Sequence, residues 1–235
     1  MAETQLNHPE QHMVGTETVR DIVIGMSDGL TVPFALAAGL SGAVSSTNLI
    51  IVAGLAEIAA GSIAMGLGGY LAGKTEVDHY ESELKREYRE VENLPDIEKQ
   101  ETKEFFSSLG LSEETQNKAV EEVSKDKDTW VNLMMKYELG LEKPNPKRAR
   151  QSALNIGLSY IVGGLIPLSP YFFVSEGLTG LKISAVITLV CLFIFGYFKS
   201  RMTGVNPWGG ALRVMIIGAL AAGCAFGIAR LIQKA

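Results

Sequence analysis

Five long apolar stretches punctuate this chain, and between the second and third the pattern inverts. Residues 22–44, 49–73, 153–174, 178–198 and 211–232 are each mostly apolar. Each exceeds the about 20 residues a helix needs to cross a bilayer. The linkers are short and turn-rich: "SSTN" after the first stretch, "SEG" after the third, "KSRMTGVNPWGG" after the fourth. The interval after the second stretch reads as polar helices instead. "TEVDHYESELKREYREVENL" prolongs the second span and stops at Pro95. "DIEKQETKEFFSSLG" takes Asp96 as its expected N-cap and Gly110 as its stop. "SEETQNKAVEEVSKDKDTWVNLMMKYELGL" opens on a capping pattern, Ser112 with Thr115, and acids in the first turn. The predicted fold is an all-α membrane protein, with five transmembrane helices and a three-helix cytosolic insert between spans two and three. Residues 1–20 form an N-terminal segment, 21–74 the first two spans, 75–146 the insert and 147–235 the last three spans.

Charge sharpens this division. Residues 22–73 carry two formal charges, Asp28 and Glu57, whereas residues 74–150 carry 33, of which 19 are acidic. Residues 151–235 carry seven. The mean hydropathy of +0.17 therefore averages a membrane part with one polar insert. The net charge of -5 arises in that insert, so a basic nucleic-acid footprint is absent. No Walker A pattern is present, which argues against nucleotide drive. The first 15 residues lack an apolar run, so no secretory signal peptide is expected and the first span serves as its own targeting signal. "PKRAR" before the third span, and Lys199, Arg201 and Arg213 between the fourth and fifth, place the N-terminus and the insert in the cytosol. The C-terminus then lies on the far side, where Arg230 and Lys234 run against the rule. Cys191 and Cys224 lie in apolar runs and read as small packing residues. Small pairs at i, i+4, Gly69 with Gly73 and Gly223 with Gly227, suit close helix approach, either within one subunit or along a dimer seam.

Two acids inside apolar helices need a reason, because a carboxylate there costs about 2.5–3.5 kcal/mol on insertion scales. Asp28 lies about two turns into the first span and Glu57 nearer the middle of the second. Neither span contains a lysine or arginine to pair with them. A polar path for a cation or proton is the expected use. Pro33 strengthens this, since it deprives the Gly29 carbonyl of its helical donor beside Asp28 and Thr31. Met65 follows Glu57 by eight residues, so both can line one helix face. Its thioether suits later transition metals.

In the insert, acids recur at i, i+3: Glu87 with Glu90, and Glu98 with Glu101. Each pair shares a helix face and repels unless a cation lies between. Met134 and Met135, in an exposed-looking "LMM" on a charged helix, precede Glu138, and Met134 and Glu138 are i, i+4 neighbours. Such a set suits a multinuclear divalent-metal site. It lacks the Glu-x-x-His element of di-iron bundles, and the alternative use of acids at this spacing is a solvated face.

Taken in order, "DIVIGMSDGLTVPFALAAGLSGA", "AGLAEIAAGSIAMGLGGYLAGKTEVDHY", the Glu-rich insert and "GGLIPLSPYFF" closely resemble the vacuolar iron transporter family, plant and fungal type, from about Arg20 onward. The resemblance implies a homodimer in the vacuolar membrane that exchanges protons for ferrous iron, moving Fe2+ from the cytosol into the vacuole. It implies that Asp28, Glu57 and Met65 line the pathway. It also implies that Glu87, Glu90, Glu98, Glu101, Glu138, Met134 and Met135 bind metal in the insert. Fe2+ is then substrate, and Mn2+, Zn2+ and Co2+ are further candidates for the same sites. Three other readings stand beside it: a broader divalent-metal exporter preferring Mn2+, a membrane-anchored iron oxidase or storage module, and a metal sensor whose insert changes conformation while nothing crosses.

Overall fold

The computed structural model describes residues 16–234. Most of the N-terminal segment, residues 1–15, lies outside them. Among the described residues every regular element is helical, and the β pairing is one isolated bridge between Ser46 and Glu176. Helix α1 spans Thr16–Ala43, α2 Thr47–Asn93, α3 Pro95–Ser108, α4 Glu113–Val123 and α5 Lys127–Leu133, which continues as a π-helical turn, Met134–Glu138. Helix α6 spans Arg148–Leu168 and closes in a 3-10 turn, Ser169–Phe172. Helices α7 and α8 span Gly177–Met202 and Pro207–Lys234. The chain divides into two units, residues up to 70 with 150–235, and residues 71–149.

In the first unit, α1, the apolar part of α2, α6, α7 and α8 are the five helices long and apolar enough to cross a membrane, one for each predicted span. Their packing is inverted relative to a water-soluble protein. The buried stripe of α7 is Gly177, Gly180, Ser184, Thr188, Leu192, Gly196 and Ser200, while Val186, Val190, Ile194 and Phe198 face outward. Lipid is as apolar as these side chains, so hydrophobicity does not drive the helices together. Close packing of small residues does. A Cβ on Gly25 would stand 2.2 Å from the Ile156 carbonyl oxygen, and one on Gly196 would stand 2.9 Å from Ala211 Cα. Gly69 packs against Ile156 and Ser152, the internal role foreseen for it, whereas Gly223 and Gly227 face open space. Cys224 is exposed on the same helix, and Cys191 is half-buried.

Helix α1 stays helical through Pro33, whose ring lies against Gly164. The Thr31 hydroxyl donates to the Ser27 carbonyl at 2.8 Å, within its own helix. At the other end of the unit, Arg230 lies over the Phe226 ring at 5.4 Å and Gln233 donates to the Ala43 carbonyl. That cation–π contact engages the guanidinium that ran against the charge rule.

The second unit departs from the three predicted helices in two places. Pro95 opens α3 rather than merely ending α2, because its fixed φ suits a first helical position, so Leu94 is the N-cap and Asp96 falls in the first turn. The predicted third helix is two, α4 and α5. Asp126 breaks it: its carboxylate accepts from the Asp128 amide and the Thr129 hydroxyl, which caps a new helix. Ser112 caps α4 as expected, and Gly110, at φ 79°, supplies the left-handed turn that stops α3. The core of the unit is Tyr80, Val91, Trp130, Val131, Met134 and Met135. Both methionines are 1% exposed, so the apparent exposure of "LMM" is corrected: the π turn points them inward.

Candidate functional site

The membrane unit carries one conspicuous acid. Glu57, half-buried on α2, accepts a hydrogen bond from the Tyr160 hydroxyl of α6 through Oε1. Its Oε2 is buried and has no hydrogen-bond partner. Glu57 also lines an apolar cavity of about 800 Å3, bounded by Thr31, Ala35 and Gly39 of α1 and Ala221 and Ala225 of α8. A buried carboxylate oxygen without a hydrogen-bond partner, on a residue that lines an apolar cavity, is a costly arrangement.

Tyr160 is held in place by absent side chains. A Cβ on Gly61 would lie 2.5 Å from its hydroxyl oxygen, and a Cβ on Gly29 would lie 2.4 Å from its carbonyl oxygen. Glycines on α1 and α2 therefore let α6 carry a phenol into the level of Asp28 and Glu57. Asp28, next to Gly29, is half-buried, and so is Met65, two turns past Glu57. Sequence reasoning missed Tyr160. The signal was available: a tyrosine inside an apolar span must find an acceptor for its hydroxyl. It also passed over Asp21, which is 1% exposed and accepts from Ser152 at 3.2 Å.

The insert gathers its acids from three segments: Glu87 and Glu90 on the polar end of α2, Glu98 and Glu101 on α3, and Glu138 at the end of the π turn. Glu98 is 3% exposed and feels the charges of Glu101, Glu87, Glu90 and Glu138. Burial first, and then these neighbours, push its carboxyl up to about 7. The same causes, with Glu138 the leading neighbour, push Glu87 up to about 7. Burial and Glu101 also raise Glu138. Oε2 of Glu98 is buried without a partner. Among the described residues no group of three or more His, Cys, Asp or Glu side chains closes up tightly enough to hold a metal ion as it stands. The five acids are electrostatic neighbours, then, not a formed coordination shell.

Met134 belongs to a buried network, and Met135 packs in the same apolar core. The Trp130 indole donates to the Thr102 hydroxyl at 2.7 Å. That hydroxyl lies 2.7 Å from the Glu98 carbonyl and 3.3 Å from the Met134 sulfur. With one proton to give, Thr102 serves one of the two at a time. Arg86 forms ion pairs with Glu87 and Glu90 of the acidic set, and with Glu83 beside them.

Five helices long and apolar enough to cross a membrane, with carboxylates among them, and a separate unit of crowded carboxylates define a polytopic membrane protein. A sequence model of the VIT family matches residues 19–230. The chain is 52% identical to "Vacuolar iron transporter 1" of Tulipa gesneriana over 97% of its own length and 92% of the relative's. It is 49% identical to "Vacuolar iron transporter 1" of Arabidopsis thaliana, over 97% and 91% respectively. It is 37% identical to "Protein CCC1" of Saccharomyces cerevisiae, over 93% of this chain and 70% of that one. The chain belongs to the VIT family, and its relatives' names place it among transporters rather than enzymes.

Proposed function

We propose that this protein moves ferrous iron from the cytosol across the vacuolar membrane in exchange for protons, as a homodimer with a lumenal C-terminus. Relatives named vacuolar iron transporters, matched over nearly the whole chain, support iron and the vacuole. The observation that carries the mechanism is Glu57. One oxygen accepts from Tyr160, the other is buried without a partner, and the residue lines an apolar cavity. Such a group binds a proton or a cation, but not both at once, because a metal requires the deprotonated form. Alternation between the two couples the flows without nucleotide. Asp28 and Met65 extend the path along α1 and α2. In the insert, Glu87, Glu90, Glu98, Glu101 and Glu138 with Met134 and Met135 collect the divalent ion, their negative field raising its local concentration. The acids close on the ion as it arrives, and the buried oxygen of Glu98 is a ready ligand.

Proteoliposomes with an acidic interior test this reading. Ferrous uptake that depends on the pH gradient is expected, together with a loss of about tenfold or more in Glu57→Gln and Asp28→Asn. Wild-type rates in both variants would remove the pathway, and uptake indifferent to the gradient would remove the exchange. Competition by Mn2+ in the same assay ranks the two metals.

A further inference from the structure

The acids of the insert already hold a cation of their own. Arg86 Nη2 stands 2.8 Å from Glu83 Oε2 and 3.7 Å from Glu87 Oε1, and its Nε stands 3.4 Å from Glu90 Oε2. The guanidinium side chain is 45% exposed, whereas those of Glu83 and Glu87 are 17% and 4% exposed. Arg86 thus reaches in from the solvent side and lies across three carboxylates on its own helix. Lys103 and Lys127, by contrast, pair with Glu113 and Glu92, outside the proposed ligand set.

We propose that Arg86 is a built-in competitor for the divalent ion, an affinity-setting residue and not a ligand. This rests on the reading that the insert binds metal. The carboxylate oxygens of Glu87 and Glu90 that face the guanidinium cannot serve a metal ion at the same time. A dication arriving beside a fixed positive charge is also repelled. Binding therefore requires the guanidinium to leave Glu87 and Glu90. Glu83 offers it somewhere to go, since that contact is the shortest of the three and Glu83 is outside the ligand set. Arg86 is half-exposed, so its displacement is an easy motion with a modest penalty. Without metal it relieves the repulsion among the acids; with metal it holds affinity low enough for the ion to be passed on.

This role has a sign that a merely structural one lacks. A brace that positions the carboxylates would, when removed, weaken binding. A competitor, when removed, strengthens it. The test is anaerobic titration of full-length protein in detergent with Mn2+ and with Co2+, by calorimetry. Wild type, Arg86→Gln, Arg86→Met and Arg86→Lys are compared, with helix content followed by circular dichroism. The neutral variants are expected to bind on the order of tenfold tighter, and Arg86→Lys, which keeps the charge, to stay near wild type. Equal or weaker binding in folded Arg86→Gln and Arg86→Met overturns the proposal, as does loss of fold in both, since either makes Arg86 a brace. Saturable wild-type binding with no gain in the variants removes the role of Arg86 alone. Absence of saturable binding in every protein removes the metal-binding reading of the insert, and this proposal with it.

Discussion

At the scale of single residues, the insert holds its acids in unfavourable electrostatics. Glu87 and Glu98 sit in the fold with carboxyls near 7 instead of the ordinary 4.5, because burial and neighbouring acids penalise the charged form. The sign of the consequence follows from proton counts. Between about pH 4.5 and about pH 7 the folded insert keeps protons that the unfolded chain has released. Stability contributed by these groups is therefore full below the unfolded value and is lost as pH rises through the folded one. Metal-free protein is expected to melt at progressively lower temperature as pH is raised from about 5 to about 8. Mn2+ should offset that loss, its affinity rising over the same interval as it displaces the protons. Thermal melts of the insert's signal at stepped pH, with and without Mn2+, check both. A metal-free melting temperature that climbs through this window would contradict the assignment of strained carboxyls.

At the scale of elements, glycine decides which helices can meet and what they carry to the meeting. Gly61 and Gly29 make room for Tyr160, and Tyr160 in turn orients Glu57. Adding one methyl at Gly61 drives it into the phenol ring. Gly61→Ala is accordingly expected to destabilise the membrane unit by about 1–3 kcal/mol through overpacking. Gly68→Ala, where nothing lies within 4 Å, should be neutral or stabilising. Melting temperatures in detergent compare the two. The elements themselves were largely legible, because the helix period and the length of each apolar run report directly on what crosses lipid. What stayed hidden depended on contacts between elements distant in sequence. Tyr160 meets Glu57 across 103 positions, a pairing that no local pattern encodes. The split of the third insert helix at Asp126 was missed for a different reason: a run of polar residues suits a helix and its cap equally well, and Asp126 chose the cap. Likewise "LMM" looked exposed because its charged neighbours dominate the local average, while the π turn rotates both methionines into the core.

At the scale of the whole molecule, the division into a membrane unit and an acidic unit matches the change in composition at residue 74 and again near 150. The orientation expected from the charge rule can be examined directly. In a background lacking Cys191 and Cys224, a cysteine at Ser124 in the insert is expected to react with an impermeant maleimide from the cytosolic side of sealed vesicles. One at Ser45, in the first linker, should react only from the lumenal side. The reverse pattern would invert the direction of transport proposed here. The two units also differ in a way that serves measurement. The chain has two tryptophans, and each unit holds one: Trp130, 3% exposed and bonded beside the Met134 sulfur, and Trp208, 66% exposed on α8 against Tyr197. A shielded indole emits further to the blue than an open one, and open-shell cations darken indoles they approach. If the acids take up metal as proposed, their loading is written into the ultraviolet emission of the unlabelled protein, with Trp208 as the internal reference.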